Sequence, residues 1–112
     1  MEADQLLASL RRGTLEFCVL AALRHGERYA LDLVADLGAG GTLLTSEGTV
    51  YPLLARLRRD GLVTTTWRES PSGPPRRYYR ATPAGEAAVA AFEAQWRRYV
   101  SAVDAVLQGA ST

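Results

Sequence analysis

The sequence predicts a mainly α-helical domain that carries one β-hairpin and ends in a long C-terminal helix. Three observations predict it. Short segments with apolar residues at helical spacing are divided by glycine-containing stops. Two β-branched or aromatic stretches flank the turn-forming run "SPSGPP". Finally, the chain from Pro83 to about Gln108 contains no helix breaker beyond Gly85 in its first turn.

Asp4 is the expected cap of a first helix over 4–12, with Leu6, Leu7 and Leu10 on one side and Gly13 as its stop. A second helix, from about Thr14 to Arg24, places Leu15, Cys18, Val19, Ala22 and Leu23 on a core-facing stripe. "HGER" makes a turn, and Tyr29 opens a third helix in which Ala30, Leu33, Val34 and Leu37 fall at i, i+3, i+4 and i+7 before "GAGG" ends it.

In the fourth helix Val50, Leu53, Leu54 and Leu57 repeat the stripe, whereas Thr49, Arg56 and Arg59 fall away from it toward solvent or a ligand. Ser46 and Thr49 are both possible caps, and Pro52 favours a start near Thr49 because a first-turn proline lacks only an N–H that no helical carbonyl would accept. Gly61 after Asp60 suits a left-handed C-terminal residue, with Leu62 folding back on the Leu57 region.

"LVTTTWRE" and "RRYYRA" read as the two strands of the hairpin, with Gly73, Pro74 and Pro75 stiffening its turn and Trp67 closing the core beneath it. Thr82-Pro83 is a cap followed by a first-turn proline. In the helix that follows, Val89, Phe92, Trp96, Tyr99, Val103 and Val106 alternate steps of three and four, the seam of helix-on-helix packing. At about 1.5 Å per residue this helix outruns so small a body, and its seam requires a partner.

The formal charge of the 112-residue chain is only +1, yet the charge is segregated. Residues 46–80 hold Arg56, Arg58, Arg59, Arg68, Arg76, Arg77 and Arg80 against Glu47, Asp60 and Glu69, so this stretch is +4 and the remainder −3. A localised basic segment implies an anionic partner, nucleic acid first. The length suits one domain. With 47% apolar and 22% charged residues, disorder and fibrous classes are excluded. No apolar run is long enough to span a bilayer and "MEADQ" lacks the character of a secretory signal, so a cytoplasmic protein without a membrane partner is expected. Cys18 has no second cysteine to pair with and is expected as a small buried hydrophobe. Cys18 and His25 are too few for a closed metal site, and no cofactor is expected.

Taken in order, a first helix, three short core helices, the third of these with a basic outer face, a hairpin and a long helix form a winged helix-turn-helix over 1–82 and a C-terminal dimerisation helix over 83–108. In this arrangement the third core helix enters the major groove of duplex DNA and the hairpin is the wing. Arg76, Arg77 and one of Tyr78 and Tyr79 then meet phosphates or the adjoining minor groove. Strand alternation lets only one of those two rings face outward.

The runs "GTLEFCVLAAL", "GERYALDLV", "SEGTVYPLLARLRRDGLV" and "GPPRRYYRATPAG", followed by a tryptophan-containing helix, resemble in order and spacing the PadR family of bacterial transcriptional regulators. The resemblance spans nearly the whole chain and is most specific in "EGTVYPLLARL" and "GPPRRYY". The length is similar to that of the short subfamily with one C-terminal helix. Ala30 stands where the family commonly has glycine, and Arg77 where it commonly has lysine. The resemblance implies a homodimeric repressor that binds a pseudo-palindromic operator and is released by a small molecule. It places Ser46, Glu47, Gly48, Thr49, Tyr51 and Arg56 at the recognition helix, Arg76, Arg77 and Tyr79 on the wing, and Tyr29 beside the DNA backbone. The dimer contact would use Leu6 and Leu10 of the first helix with Val89, Phe92, Trp96, Tyr99, Val103 and Val106. Some relatives hold flat drug-like molecules between paired tryptophans. The equivalent cavity for a small planar hydrophobic effector would be lined by Phe92, Trp96, Tyr99 and Val100.

No nucleophile–base constellation is present, and "GAGG" ends a helix instead of joining a strand to one, so an enzyme is not expected. The alternative is a winged-helix module for protein association without specific DNA binding.

Overall fold

The computed structural model describes residues 2–44 and 46–109, Glu47 by its backbone alone. The elements are α1 (Ala3–Arg11), α2 (Leu15–Ala22), β1 (Arg28–Tyr29), α3 (Ala30–Gly38), a 3-10 turn (Glu47–Thr49), α4 (Val50–Arg59), β2 (Val63–Ser70), β3 (Gly73–Ala81) and α5 (Pro83–Leu107). The apolar stripes behave as their spacing requires. Leu15, Val19, Leu20 and Leu23 meet Ala30, Leu33 and Val34, and both meet Val50, Leu54 and Leu57 in one core, closed by Val63, Tyr79 and Ala81 of the hairpin. Cys18 is half-buried rather than enclosed, and burial pushes its thiol pKa up.

Several boundaries differ from expectation for identifiable reasons. Helix α1 is capped two residues earlier than at Asp4. Glu2 is its N-cap, and the Glu2 N–H donates to Gln5 Oε1 at 3.2 Å. The hairpin turn is Pro71–Ser72, because Gly73 already pairs with Ser70. Gly73, Pro74 and Pro75 therefore lie in β3, where a missing N–H and a missing side chain are tolerated at an exposed strand end. The sheet has three strands in the order β1-β3-β2, the two-residue β1 adding Arg28 opposite Tyr79 and Tyr29 opposite Tyr78.

Helix α4 ends in a Schellman motif: Gly61 adopts φ 76°, its N–H donates to the Arg58 carbonyl at 3.1 Å, and the Leu62 N–H donates to that of Leu57 at 2.9 Å. Thr82 locks the wing to α5. Its N–H donates to the Leu62 carbonyl at 3.0 Å, its hydroxyl donates to Gly61 at 2.7 Å, and the same oxygen accepts the Gly85 N–H at 3.1 Å. Gly85 is required by this closeness, since a Cβ there would lie 2.1 Å from the Leu62 carbonyl oxygen.

The boundary at 82/83 is thus a change of element inside one packed body. Val89, expected on the dimer seam, is instead 2% exposed and belongs to the core of its own chain. The first turns of α5 are anchored on α2, and the exposed apolar stripe of α5 begins at Trp96. The described residues extend 56 × 32 × 21 Å, drawn out by the distal half of α5. Among them no helix is long and apolar enough to cross a membrane.

Candidate nucleic-acid interface

The start of α4 is built for close approach. Ser46 accepts twice: its Oγ takes the Gly48 N–H and its carbonyl takes the Thr49 N–H, both at 3.3 Å. This 3-10 turn leaves Ser46, Gly48, Thr49 and Tyr51 on the surface. The side chain of Glu47 lies outside the described residues. The stripe Val50, Leu54, Leu57 fixes the inner face of α4, so Arg56, Arg58 and Arg59 project outward.

The wing carries the other cations. Arg76 lies over the Tyr29 ring, 4.7 Å from its centroid, and Arg77 lies over the Trp67 ring at the same distance. Tyr29 reaches the wing because β1 pairs it with Tyr78, the rings 5.7 Å apart. A cleft of about 520 Å³ separates the wing from the starts of α3 and α4, with Tyr29, Tyr51, Trp67, Arg76 and Arg77 on its walls. The wing cations and the start of α4 therefore border one concavity.

Not every arginine is equally available. Arg56 donates to Glu16 of α2 at 3.0 Å. Arg68, which stands opposite Arg76 in the register, pairs with Glu27. The hydrogen bond and charge of that carboxylate push the Arg68 pKa above its ordinary value. Arg58, Arg59, Arg76, Arg77 and Arg80 form no ion pair among the described residues.

Two aromatic assignments are corrected. Tyr79, expected on the wing surface, is 7% exposed and packs in the core. Alternation continues from Ala81, which is also buried, and turns Tyr78 outward instead. Trp67, expected beneath the wing, is 60% exposed and lies against Arg77. Neither the Glu16 partner of Arg56 nor the strand that brings Tyr29 to the wing had a readable signal, because both depend on how distant segments dock.

A second concavity, about 1020 Å³, lies between α1 and α5, lined by Leu10, Leu43, Phe92, Trp96, Tyr99 and Val103 among others, with Val100 at its wall. Arg11 holds α1 in place by donating to the carbonyls of Thr42 and Gly41 at 2.6 and 3.0 Å, yet no α1 residue is buried. Leu6 and Leu10 remain exposed, as do Trp96, Tyr99, Val103 and Val106. Phe92 is the exception. It is half-buried, stacked on Phe17 at 4.3 Å and 5.7 Å from Trp96.

A helix-turn-helix of α3 and α4, braced by α2 and flanked by a β2–β3 wing, defines a winged helix-turn-helix protein. More particularly, the chain belongs to the Transcriptional regulator PadR-like family, which residues 19–91 match. It is 36% identical over 83 residues to Transcriptional regulator Rv3488 of Mycobacterium tuberculosis, covering 74% of this chain and 76% of that protein. The crystal structure of a PadR family transcriptional regulator from Eggerthella lenta is similar at a TM-score of 0.81 and 36% identity, over 93% of this chain and 90% of that one. Bacillus subtilis PadR, solved in complex with operator DNA, shares the fold at a TM-score of 0.65 and 21% identity, over 70% of this chain and 46% of its own. The family is one of transcriptional regulators and not of enzymes.

Proposed function

We propose that this protein is a homodimeric transcriptional repressor that binds a pseudo-palindromic operator through α4 and the wing. The observation that carries the reading is one cleft whose walls combine the wing cations Arg76 and Arg77 with Tyr51 at the start of α4, next to a helix whose outward face carries Arg56, Arg58 and Arg59. Ser46, Gly48, Thr49, Tyr51 and Arg56 would meet the major groove, with Glu47 at the same turn. Arg76 and Arg77 would meet phosphates, and Tyr29 the DNA backbone. A likeness in fold to a regulator solved with operator DNA supports the assignment.

The dimer contact in this reading is the exposed stripe of α5, Trp96, Tyr99, Val103 and Val106, with Leu6 and Leu10 of α1. So much unpartnered apolar side chain on one surface is the mark of a contact site. Two copies would set their α4 helices one turn of DNA apart, roughly 34–36 Å. A small planar apolar effector fits the chemistry of the α1–α5 cleft, where Phe92, Trp96, Tyr99 and Val100 offer ring faces and an aliphatic wall.

Salt titration of binding to duplex DNA tests the reading. The logarithm of the association constant should fall linearly with that of salt, by about 0.9 per neutralised phosphate. No measurable affinity at low salt would favour a module for protein association. Sedimentation should give twice the chain mass, with Trp96→Ala shifting the protein toward the monomer. Loss of reporter repression on adding a flat aromatic dye that the Trp96→Ala protein no longer binds would identify the effector site.

A further inference from the structure

We propose that Trp67 is a positioning residue for DNA binding. Its indole holds the Arg77 guanidinium flat against the wing, so that the cation meets a phosphate already oriented. The inference rests on the DNA-binding reading above and adds a residue to it.

The hairpin register explains how the pair arises. Val63 stands opposite Ala81, Thr65 opposite Tyr79 and Trp67 opposite Arg77, so these three pairs share one face of the hairpin. At the first two levels that face covers the helical core, where Val63, Tyr79 and Ala81 are buried. At the third the core has ended. The same face then presents a large ring and a cation to the cleft that Tyr51 and Tyr29 also line.

Trp67 has no core role to explain it: it is the exposed aromatic of the hairpin, remote from the α5 seam. Its ring partner is Arg77, whose Cζ lies over it 4.7 Å from the centroid. Face-on stacking engages the flat side of a guanidinium and leaves its in-plane N–H groups to hydrogen-bond at the edge, so one arginine can keep the indole and take a phosphate together. Arg77 Nε is enclosed and, among the described residues, has no acceptor, and the side chain forms no ion pair with them. Its terminal Nη groups therefore have no carboxylate to exchange, while the enclosed Nε and the ring beneath fix the side chain. This contrasts with Arg68 and Arg56, whose carboxylate partners must be exchanged before either can bind an anion. Arg76 on Tyr29 repeats the arrangement on the opposite face.

The test measures binding to a labelled duplex of about 30 base pairs, arbitrary in sequence and at low salt, where phosphate contacts dominate. Trp67→Leu keeps an apolar side chain without a ring face and should weaken binding about two- to fivefold. Trp67→Phe should restore most of it. Arg77→Ala should weaken binding at least as much, and Trp67→Leu added to Arg77→Ala should cost nothing further, because the ring acts only through the cation. Equal affinity of Trp67→Leu and wild type, additive losses, or failure of Trp67→Phe to rescue would each overturn the inference while the DNA-binding reading stands. Absence of duplex binding by the wild type would overturn both. In the unmodified protein the Arg77 Nε–H proton resonance should be displaced upfield by the indole ring current. An unshifted resonance would refute the stacking directly.

Discussion

The ring of Phe17 on α2 lies 4.3 Å from that of Phe92 on α5, with the two planes within 6° of parallel. Beside it Arg24 donates to Glu93 at 3.0 Å, so an aromatic contact and an ion pair join the winged-helix body to adjacent residues of the long helix. Phe92→Ala should therefore lower unfolding free energy by about 2–3 kcal/mol, toward the low end for aromatic truncations because the ring is only half-buried. A urea titration would measure this, and a change under about 0.5 kcal/mol, the range of ordinary surface substitutions, would mean the stack bears little weight.

Gly85→Ala should reverse its usual sign. In an open helix this change gains about 1 kcal/mol from propensity. Here the new Cβ would meet the Leu62 carbonyl at 2.1 Å, a backbone atom that cannot swing aside. Thermal unfolding should show a loss of about 2–4 kcal/mol, the scale of overpacked sites. An unchanged melting temperature would mean that α5 does not seat on Leu62 as described.

Glu16→Gln should tighten DNA binding. Glu16 holds Arg56 at 3.0 Å and is itself an anion close to α4, so a phosphate must displace it. Removing the charge should raise affinity about two- to fivefold at low salt and less at high salt. Stability should change by less than about 1 kcal/mol, as for exposed pairs. Titration of the variant at two ionic strengths checks both parts. Arg56→Ala should move affinity the other way.

Hydrogen bonds and charge from Arg24, and more weakly from Arg97, hold the Glu93 carboxyl below its ordinary pKa of 4.5. A group depressed on folding stabilises the native state above its unfolded pKa, and that contribution disappears as pH falls through the folded value. Wild type should thus melt above Glu93→Gln at neutral pH, and the gap should close as pH drops below about 4.5. A gap that persists at pH 3 would assign the effect to packing instead of charge. The pair is exposed, so the shift should be small.

The helices, the hairpin and the long C-terminal segment were legible because each has a local signal: a 3.6-residue stripe, a run of β-branched residues, or the Thr82-Pro83 start. The Tyr78–Tyr79 choice needed the register, since adjacent strand residues differ only in which face the pairing assigns them. The strand Arg28–Tyr29 is too short for a periodicity to exist, and it forms only because Tyr78 and Tyr79 are there to pair with. Trp67 was misplaced for a related reason: hydrophobicity implies an interior, but the interior ended one pair of residues earlier, at Tyr79. The basic segment was visible as a charge total. Its division into arginines held by Glu16 or Glu27 and those without a carboxylate depended on contacts some 40 residues apart in the chain, 40 for Glu16–Arg56 and 41 for Glu27–Arg68.

The three hydrogen bonds at Thr82 leave the junction between wing and long helix without a hinge. Twisting α5 must carry α4 and the hairpin along as one solid piece, like a blade on its handle. In the two-copy assembly proposed above, a molecule wedged between the handles would alter the gap between the blades and spare their edges. Control would then act by mismatching the pitch of the double helix.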